Sequence, residues 1–322
     1  MTDLFPGVLL EPWALALFGA CIGSFLNVVA HRTPLVLERQ WWGDAAGLLA
    51  DDEARARFFG SSSGGDASAV QARVQGAALA IEGRLEGSEP VSLSRPRSRC
   101  PSCGHLIAWH ENIPVLSYLF LRGRCSACSA SIGWRYPAVE VVTALLFAAI
   151  AWRFGPTLQA LMWCGVVSVL LALALIDWDT TLLPDHLTLP LLWAGLLASW
   201  AGFTGVAIDS ALLGAVAGYG SLWAVYWVFR LATGKEGMGA GDFKLLAALG
   251  AWLGWPALLP ILIVASVSGA VIGIAMKAAS RLRGGVYVPF GPFLVAGGLL
   301  LIFFGGSEWI PGLGAAGPAG AR

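Results

Sequence analysis

Apolar residues fill eight long stretches of the chain, and one long polar stretch separates the first from the second. A bilayer core about 30 Å thick requires about 20 apolar residues in each spanning helix. The sixth stretch is short by this measure and fits a half-helix. The stretches lie at residues 8–30, 137–154, 157–176, 186–203, 207–229, 243–255, 257–276 and 288–305. The pattern predicts an all-α integral membrane protein with about eight transmembrane helices.

The composition supports the same class. Of the 322 residues, 57% are apolar and 12% are charged, whereas a soluble domain is about 45–50% apolar and about 25% charged. Basic and acidic residues balance at 20 each, so no excess of positive charge predicts a nucleic-acid partner. We therefore expect the lipid bilayer, and no nucleic acid, among the partners.

Basic residues are distributed unevenly among the loops. If the amino terminus lies outside, the segments 31–136, 230–244 and 277–283 lie inside and hold 18 of the 20 Lys and Arg residues. Loops rich in Lys and Arg remain in the cytoplasm, a rule that applies best to short loops. The polar segment is therefore predicted to be cytoplasmic and both termini external.

Three parts of the chain follow from this topology. They are a first transmembrane helix (1–30), a cytoplasmic domain (31–136) and a membrane core (137–322). Within the cytoplasmic domain, residues 43–94 are rich in Gly, Ala, Ser and acidic side chains, which predicts a partly flexible insert with a helix near 66–86. Residues 95–136 differ because they carry two closely spaced cysteine pairs.

The paired cysteines are Cys100 with Cys103 and, 22 positions later, Cys125 with Cys128. Two such C-x-x-C turns are typical of a tetrahedral Zn²⁺ site, because both sulfurs of each turn can face one ion at about 2.3 Å. Disulfides or buried thiols are the alternative, and a cytoplasmic location disfavours disulfides. Four cysteine ligands leave no coordination position for water, so the predicted zinc is structural.

The remaining cysteines and the nearby histidines have simpler explanations. His105 and His110 could compete as metal ligands, but exposed turn histidines are expected once four cysteines satisfy the ion. Cys21 and Cys164 fall inside predicted spans, where a small residue that packs against its neighbours is expected.

Two aspartates mark the predicted cytoplasmic ends of membrane helices. Asp177 follows the apolar run 157–176, and Asp242 ends a Gly-rich run and begins the sixth apolar stretch. Ionisable residues at such positions are costly and suggest function. Two neighbouring carboxyls in a poorly solvated site share one proton, so one activates water while the other polarises the scissile carbonyl. The alternative is that Asp177, Asp179 and Asp185 are ordinary polar residues of a cytoplasmic turn and that Asp242 only caps a helix.

Several motifs resemble those of the type IV prepilin peptidases, the bifunctional leader peptidases and N-methyltransferases of bacterial pilus and type II secretion systems. The resemblance extends over nearly the whole chain, with the segment at 43–94 longer than the usual link. The matching motifs are Gly23-Ser-Phe-Leu-Asn27-Val-Val-Ala-His-Arg32, Arg99-Cys-Pro-Ser-Cys-Gly-His105, Glu111-Asn-Ile-Pro-Val-Leu-Ser-Tyr118, Arg135-Tyr-Pro-Ala-Val-Glu140, Asp177 through Leu183-Pro184-Asp185, Gly237-Met-Gly-Ala-Gly-Asp242-Phe-Lys244 and Pro289-Phe-Gly-Pro292.

The resemblance implies an aspartic endopeptidase of the bacterial inner membrane. Its catalytic pair corresponds to Asp177 and Asp242, with Asp179 as the main rival of Asp177. The implied substrates are prepilins and pseudopilins with a short basic leader, which is cut after Gly at the cytoplasmic membrane face. Ionised Asp179 or Asp185 could attract that leader.

The resemblance also implies methylation of the new amino terminus with S-adenosylmethionine. The sequence contains no Rossmann fingerprint for such a donor. Asn27, Glu111 and Glu140 border the membrane and the cytoplasmic domain and are candidates for a donor pocket. Each has a structural hydrogen bond or ion pair as its alternative, so the donor pocket stays unassigned.

Two other classes would share part of these features. A small-solute transporter also uses polar residues and glycine-interrupted helices, but usually has repeated halves and sites at the bilayer midplane. A membrane-anchored zinc-ribbon scaffold would keep the four cysteines and would not need Asp177 or Asp242. Replacement of each aspartate by Asn distinguishes a peptidase from both.

Overall fold

A computed structural model describes residues 7–59, 65–279 and 288–305 of the chain. Arg281 and Arg283, which contributed to the predicted topology, and both chain ends lie outside the described residues. Within the described part the regular secondary structure is helical, with two isolated β-bridges. The helices are α1 (Pro12–Ala50), α2 (Asp52–Phe59), α3 (Gly65–Glu86), α4 (Leu116–Phe120), α5 (Arg135–Phe154), α6 (Leu158–Thr180), α7 (Asp185–Trp200), α8 (Ile208–Thr233), α9 (Ala240–Leu253), α10 (Leu258–Ala278) and α11 (Gly291–Phe304).

All eight predicted membrane segments are helical, and the all-α membrane fold is confirmed. Among the described residues, five helices are long and apolar enough to cross a bilayer, namely α1, α5, α6, α8 and α10 with the turn before it. The other three, α7, α9 and α11, have 16, 14 and 14 residues. At 1.5 Å per residue, 14 residues reach only about 21 Å. These short helices therefore begin or end within the membrane, which places some of their end residues in the interior of the bundle.

The first helix is much longer than the predicted span. α1 contains 39 residues and continues through Pro34 to Ala50, whereas the apolar stretch ends near residue 30. Its length of roughly 58 Å exceeds the thickness of a bilayer core. Hydropathy detects only the part in contact with lipid, so the prediction missed the polar extension.

The chain divides into two compact units, one of residues 31–107 and one that contains residues 1–30 and 108–322. In the smaller unit the predicted helix near 66–86 is present as α3. The end of α1 contacts the end of α3, since Arg39 donates to the Leu85 carbonyl and to Ser88 Oγ. Ala46 and Ala78 are fully buried. Helices thus occupy much of the segment predicted to be a partly flexible insert.

In the larger unit the core lies around α6, α9 and α11. Trp163, Leu170 and Leu173 of α6 and Leu294 of α11 are fully buried. Eleven of the 14 residues of α9 are buried, which makes it the central helix of this unit. Because α9 is buried along most of its length, an acid in its first turn is also held away from water.

Glycines allow α8 to pack directly against α9. A Cβ at Gly214 would lie 2.3 Å from the Gly250 carbonyl oxygen, and a Cβ at Gly218 would lie 2.8 Å from the Leu246 carbonyl oxygen. Both obstacles are backbone atoms that cannot rotate away. Small residues at this spacing are the usual means of close helix packing in membranes. The contact fixes α9, and with it the position of Asp242.

Candidate active site

Asp177 lies in the last turns of α6 and is buried, with 4% of its surface exposed. The Gly291 backbone N–H, at the start of α11, donates to its Oδ2 at 2.9 Å. A Cβ at Gly291 would lie only 2.5 Å from the same oxygen. A glycine is therefore required for α11 to approach the carboxyl group this closely.

Asp242 lies in the first turn of α9 and is also buried, with 7% of its surface exposed. Gly239 precedes the helix as its N-cap, and its carbonyl accepts a bond from the Asp242 amide at 3.3 Å. The Asp242 Oδ1 atom is buried and has no hydrogen-bond partner among the described residues. Buried polar atoms are nearly always paired, so an unpaired one indicates a place for water or substrate.

The two aspartates belong to one site. Their carboxyl groups are close enough to interact electrostatically. Leu183, in the loop after α6, packs beside both aspartates. A Cβ at Gly241, the residue before Asp242, would be 2.7 Å from the Leu183 Cβ, and a Cβ at Gly291, which contacts Asp177, would be 3.4 Å from the Leu183 Cδ1. Three helix ends and one loop therefore enclose two acids that are 65 positions apart in sequence.

The other two aspartates of this region have cationic partners. Both carboxylate oxygens of Asp179 accept from Arg135, at 2.6 and 2.8 Å. Both oxygens of Asp185 accept from the Lys244 ammonium, also at 2.6 and 2.8 Å. These paired side chains are partly exposed. Their compensated charges weaken the prediction that they attract a basic leader.

The cysteine pairs form two similar turns. The Cys100 amide donates to the His105 carbonyl, and the Cys125 amide donates to the Ala130 carbonyl, both at 2.9 Å. A residue with positive φ follows each pair, Gly104 at 73° and Ser129 at 57°. Each turn also closes with an isolated β-bridge. The repeated geometry matches the two turns predicted from the sequence.

The four cysteines come together as a possible metal site. The sulfurs of Cys100, Cys103, Cys125 and Cys128 all lie within 4.8 Å of one another. A tetrahedral ion with Zn–S bonds of about 2.3 Å requires sulfurs roughly 3.8 Å apart, which falls within this separation. The group holds cysteines alone, without His105 or His110. Four thiolates match the donor set of structural zinc.

The two remaining cysteines differ from each other. Cys164 is buried in the core, as predicted, whereas Cys21 is exposed on α1. The prediction that Cys21 is a packing residue is therefore not supported by its surroundings. Its position on a spanning helix explains the error, because lipid and protein neighbours give the same apolar sequence pattern.

The three candidates for a donor pocket each form a hydrogen bond with a backbone group. Asn27 donates to the Tyr136 carbonyl at 3.2 Å. Glu111 accepts from the Ala108 amide at 2.8 Å, and Glu140 accepts from the Val115 amide at 2.7 Å. These contacts agree with the structural alternative that the sequence left open.

The sequence did not identify the contact partners of Asp177, Asp179 and Asp185. Gly291, Arg135 and Lys244 occur in the quoted motifs, but their contacts with Asp177, Asp179 and Asp185 depend on helix packing. The only signal for Gly291 is its position between Phe290 and Pro292 at the start of a helix.

Comparison with known proteins matches both parts of the chain. Residues 17–154 match the family described as bacterial peptidase A24 N-terminal domain. Residues 164–274 match the type IV leader peptidase family. No solved structure matches.

Curated relatives resemble the chain over most of its length. A prepilin leader peptidase/N-methyltransferase of Pseudomonas aeruginosa is 45% identical over 90% of this chain and 89% of its own. The protein of the same name from Aeromonas hydrophila is 46% identical, over 92% and 93%. That of Burkholderia pseudomallei is 43% identical, over 89% and 83%.

Proposed function

The chain belongs to the type IV leader peptidase family, and from this membership we propose that it removes prepilin leaders with Asp177 and Asp242. It is a multi-pass membrane enzyme with aspartic peptidase and N-methyltransferase activities, as its relatives are named. The observation that carries the proposal for the two residues is that two buried carboxyl groups from α6 and α9 meet in one site. No other acids in the described part of the site are as deeply buried.

The proposed reaction is direct hydrolysis by water. One carboxylate removes a proton from a water molecule, which attacks the scissile carbonyl while the protonated partner donates to the carbonyl oxygen. The carboxyl group that received the water proton then delivers it to the leaving nitrogen. As the C–N bond breaks, the proton on the former carbonyl oxygen returns to the partner carboxylate, which restores the starting pair. The unpaired Asp242 Oδ1 supports this scheme, since it can accept a hydrogen bond from the attacking water.

The proposed cut lies after a Gly, at the junction between a basic leader and a hydrophobic helix. Asp177 ends an apolar span and Asp242 begins a buried helix. A substrate whose hydrophobic helix lies in the bilayer presents its scissile bond at the membrane surface, where α6 ends and α9 begins. We expect the site to face the cytoplasm because Arg230 and Lys277 lie in the last turns of α8 and α10 and Lys235 follows α8, all on the same side. The prepilin or pseudopilin substrate, the inner-membrane location and this sidedness form part of the proposal.

Zn²⁺ and S-adenosylmethionine are the proposed cofactors. Zinc bound by the four cysteines closes the two turns and carries out no chemical step. S-adenosylmethionine supplies the methyl group for the new amino terminus, as the methyltransferase names of the relatives indicate. The sequence and geometry support no assignment of residues to the methyl donor.

The test replaces each aspartate with a neutral isostere. Asp177→Asn and Asp242→Asn are reconstituted in liposomes with a synthetic prepilin, and leader loss and addition of one methyl group are followed by mass spectrometry. Each change is expected to lower the cleavage rate by about 10²-fold or more, the usual contribution of a general acid or base.

Asp209→Asn is the matched control because Asp209 is an exposed acid in the first turn of α8. It should cleave at the wild-type rate. A substrate that already lacks its leader separates the two activities, since the aspartate variants should still methylate it. Normal cleavage by both aspartate variants would refute the peptidase assignment of these residues.

A further inference from the structure

The segment that precedes α5 exposes large apolar side chains. Phe120 is 83% exposed, Trp109 81% and Trp134 76%. Leu116 and Leu119 of α4 are also exposed, and together with Phe120 they occupy positions i, i+3 and i+4 on one helix face. Protein surfaces in contact with water seldom carry a cluster of large apolar side chains unless a partner or a membrane covers it.

A hydrogen bond to a buried carboxylate holds this segment against α5. Val115, directly before α4, donates its amide to the buried Glu140 at 2.7 Å. Glu140 lies five residues after Arg135, the first residue of α5, and five residues of helix rise roughly 7 Å. Arg135 pairs with Asp179 near the end of α6, and charged residues at the ends of apolar helices are expected where those helices leave the membrane. The start of α4 is therefore held at the level of the Arg135–Asp179 pair or closer to the membrane interior.

Helix α1 supports the same depth independently. A Cβ at Gly23 would lie 2.7 Å from the Glu140 Cα atom, and Asn27, one turn later, donates to the Tyr136 carbonyl. α1 and α5 both have windows apolar enough to span a bilayer. Glu140 thus lies between the spanning parts of two helices, rather than in a region above the membrane.

The backbone at Val115 is held in an uncommon conformation for this contact. Its φ is 61° and its ψ is −49°, a combination that β-branched residues rarely adopt. The Leu116 amide turns back to the Pro114 carbonyl. Such conformations persist when the surroundings impose them. The turn at Val115 therefore begins α4 directly beside Glu140.

Positive charge borders the apolar face. Arg122 and Arg124 are exposed, and their guanidinium groups have no hydrogen-bond or ion-pair partner in the described part of the chain. Both line a cavity of about 490 Å³ together with Phe120 and Leu121. Guanidinium groups bind phosphate oxygens well. Aromatic and basic residues side by side are typical of segments that lie in the interface of an anionic membrane.

We propose that α4 and its flanking residues form an interfacial membrane anchor that binds anionic phospholipids. Leu116, Leu119 and Phe120 enter the boundary between headgroups and acyl chains of the leaflet at the Arg135 end of α5. Arg122 and Arg124 contact lipid phosphates in the adjacent cavity. The anchor holds the Cys125 turn at the membrane surface, at the level of the Arg135–Asp179 pair.

The first experiment measures the depth of position 120 in the full-length protein. A fluorescent amino acid replaces Phe120 in nanodiscs that contain phosphatidylglycerol and nitroxide-labelled phospholipids. The same residue at position 79 is the control, because Leu79 is an exposed apolar side chain of α3. Headgroup and shallow acyl-chain nitroxides should quench position 120 several-fold more strongly than position 79.

Equal quenching at the two positions would overturn the proposal. Quenching at position 120 that stays at the control level and changes only after a prepilin is added would also overturn it, since the surface would then serve the protein substrate.

The second experiment tests the lipid charge. The double variant Arg122→Gln with Arg124→Gln is compared with Arg73→Gln, an exposed arginine of α3, with the fluorescent residue at position 120 in both. Quenching is followed as phosphatidylglycerol replaces phosphatidylcholine. The double variant should need a several-fold higher phosphatidylglycerol fraction for half-maximal quenching, while the control should match the wild type. An unchanged half-maximal fraction in the double variant would contradict the role of the two arginines.

Discussion

At the scale of single residues, Asp177 and Asp242 differ from the neighbouring acids in what their oxygens contact. Asp179 and Asp185 accept from cationic side chains and are partly exposed. Asp177 accepts from a backbone amide, and one oxygen of Asp242 has no partner among the described residues. Both oxygens of Asp179 are bound by one guanidinium group, whereas neither Asp177 nor Asp242 has a cationic partner among the described residues. This difference favours Asp177 over its rival Asp179 as the proposed catalytic residue.

Gly291→Ala tests how closely α11 must approach Asp177. The added methyl group would lie 2.5 Å from Oδ2, so the helix or the carboxyl group must shift. Displacement of a catalytic group by about 1 Å can cost about 10²-fold in rate. We expect cleavage to fall by about that factor, as measured with a synthetic prepilin in liposomes.

Gly273→Ala is the control for this change, because a Cβ at Gly273 meets nothing within 4 Å. It should retain wild-type cleavage and stability. Wild-type cleavage by Gly291→Ala would show that the close approach of α11 does not determine the position of the carboxyl group.

At the scale of elements, two ion pairs hold the helix ends around the site. Arg135 joins the start of α5 to the end of α6, and Lys244 joins α9 to the start of α7. Lys244 is two residues after Asp242, and Asp185 is at the end of the loop that follows Asp177. The second pair therefore connects α9, which carries Asp242, to α7, which follows Asp177 after a short loop.

Reversal of the second pair tests this connection. Lys244→Asp places two like charges together and is expected to lower cleavage about two- to five-fold, because partly exposed ion pairs contribute little each. The double variant Asp185→Lys with Lys244→Asp restores opposite charges and should recover part of the rate. Initial cleavage rates at low salt provide the measurement.

The double variant distinguishes a positioning role of the ion pair from a simple loss of charge. If it cleaves no faster than Lys244→Asp alone, the pairing does not position the helices. Higher salt should reduce the difference between the single and double variants, because screening weakens exposed charges.

At the scale of the whole molecule, the proposed zinc site lies in a segment with little other stabilisation. The described part of residues 95–136 contains a five-residue helix, a 3-10 turn and isolated bridges. Structural zinc contributes about 10 kcal/mol or more to small domains at neutral pH. That is as large as the whole stability of many domains, so the metal is expected to decide whether these turns fold.

Cys100→Ser and Cys125→Ser should therefore lose zinc and expose this region to proteolysis. Zinc per protein is measured by elemental analysis of the purified enzyme, and cleavage within residues 95–136 by limited proteolysis. Cys21→Ser is the control because Cys21 is outside the cysteine cluster. One zinc per chain retained in both ligand variants would contradict the four-cysteine site.

Much of the fold followed from the sequence because local composition determines membrane insertion. An apolar stretch of sufficient length must form a helix in lipid, since every backbone polar group needs a partner there. The eight helical segments were predicted on this ground, and the cysteine turns because their spacing is local. The extension of α1 to Ala50 was missed, since a helix outside the bilayer need not be apolar.

The sequence by itself determined that the protein is helical, spans the membrane, has two cysteine turns and carries acids at helix ends. Only the tertiary structure decided which of these acids face each other. The burial of Asp177 and Asp242 in one site, the approach of Gly291 and the ion pairs of Asp179 and Asp185 depend on contacts between distant segments. Hydropathy and spacing describe neighbours along the chain, whereas the packing of α6, α9 and α11 determines neighbours in space.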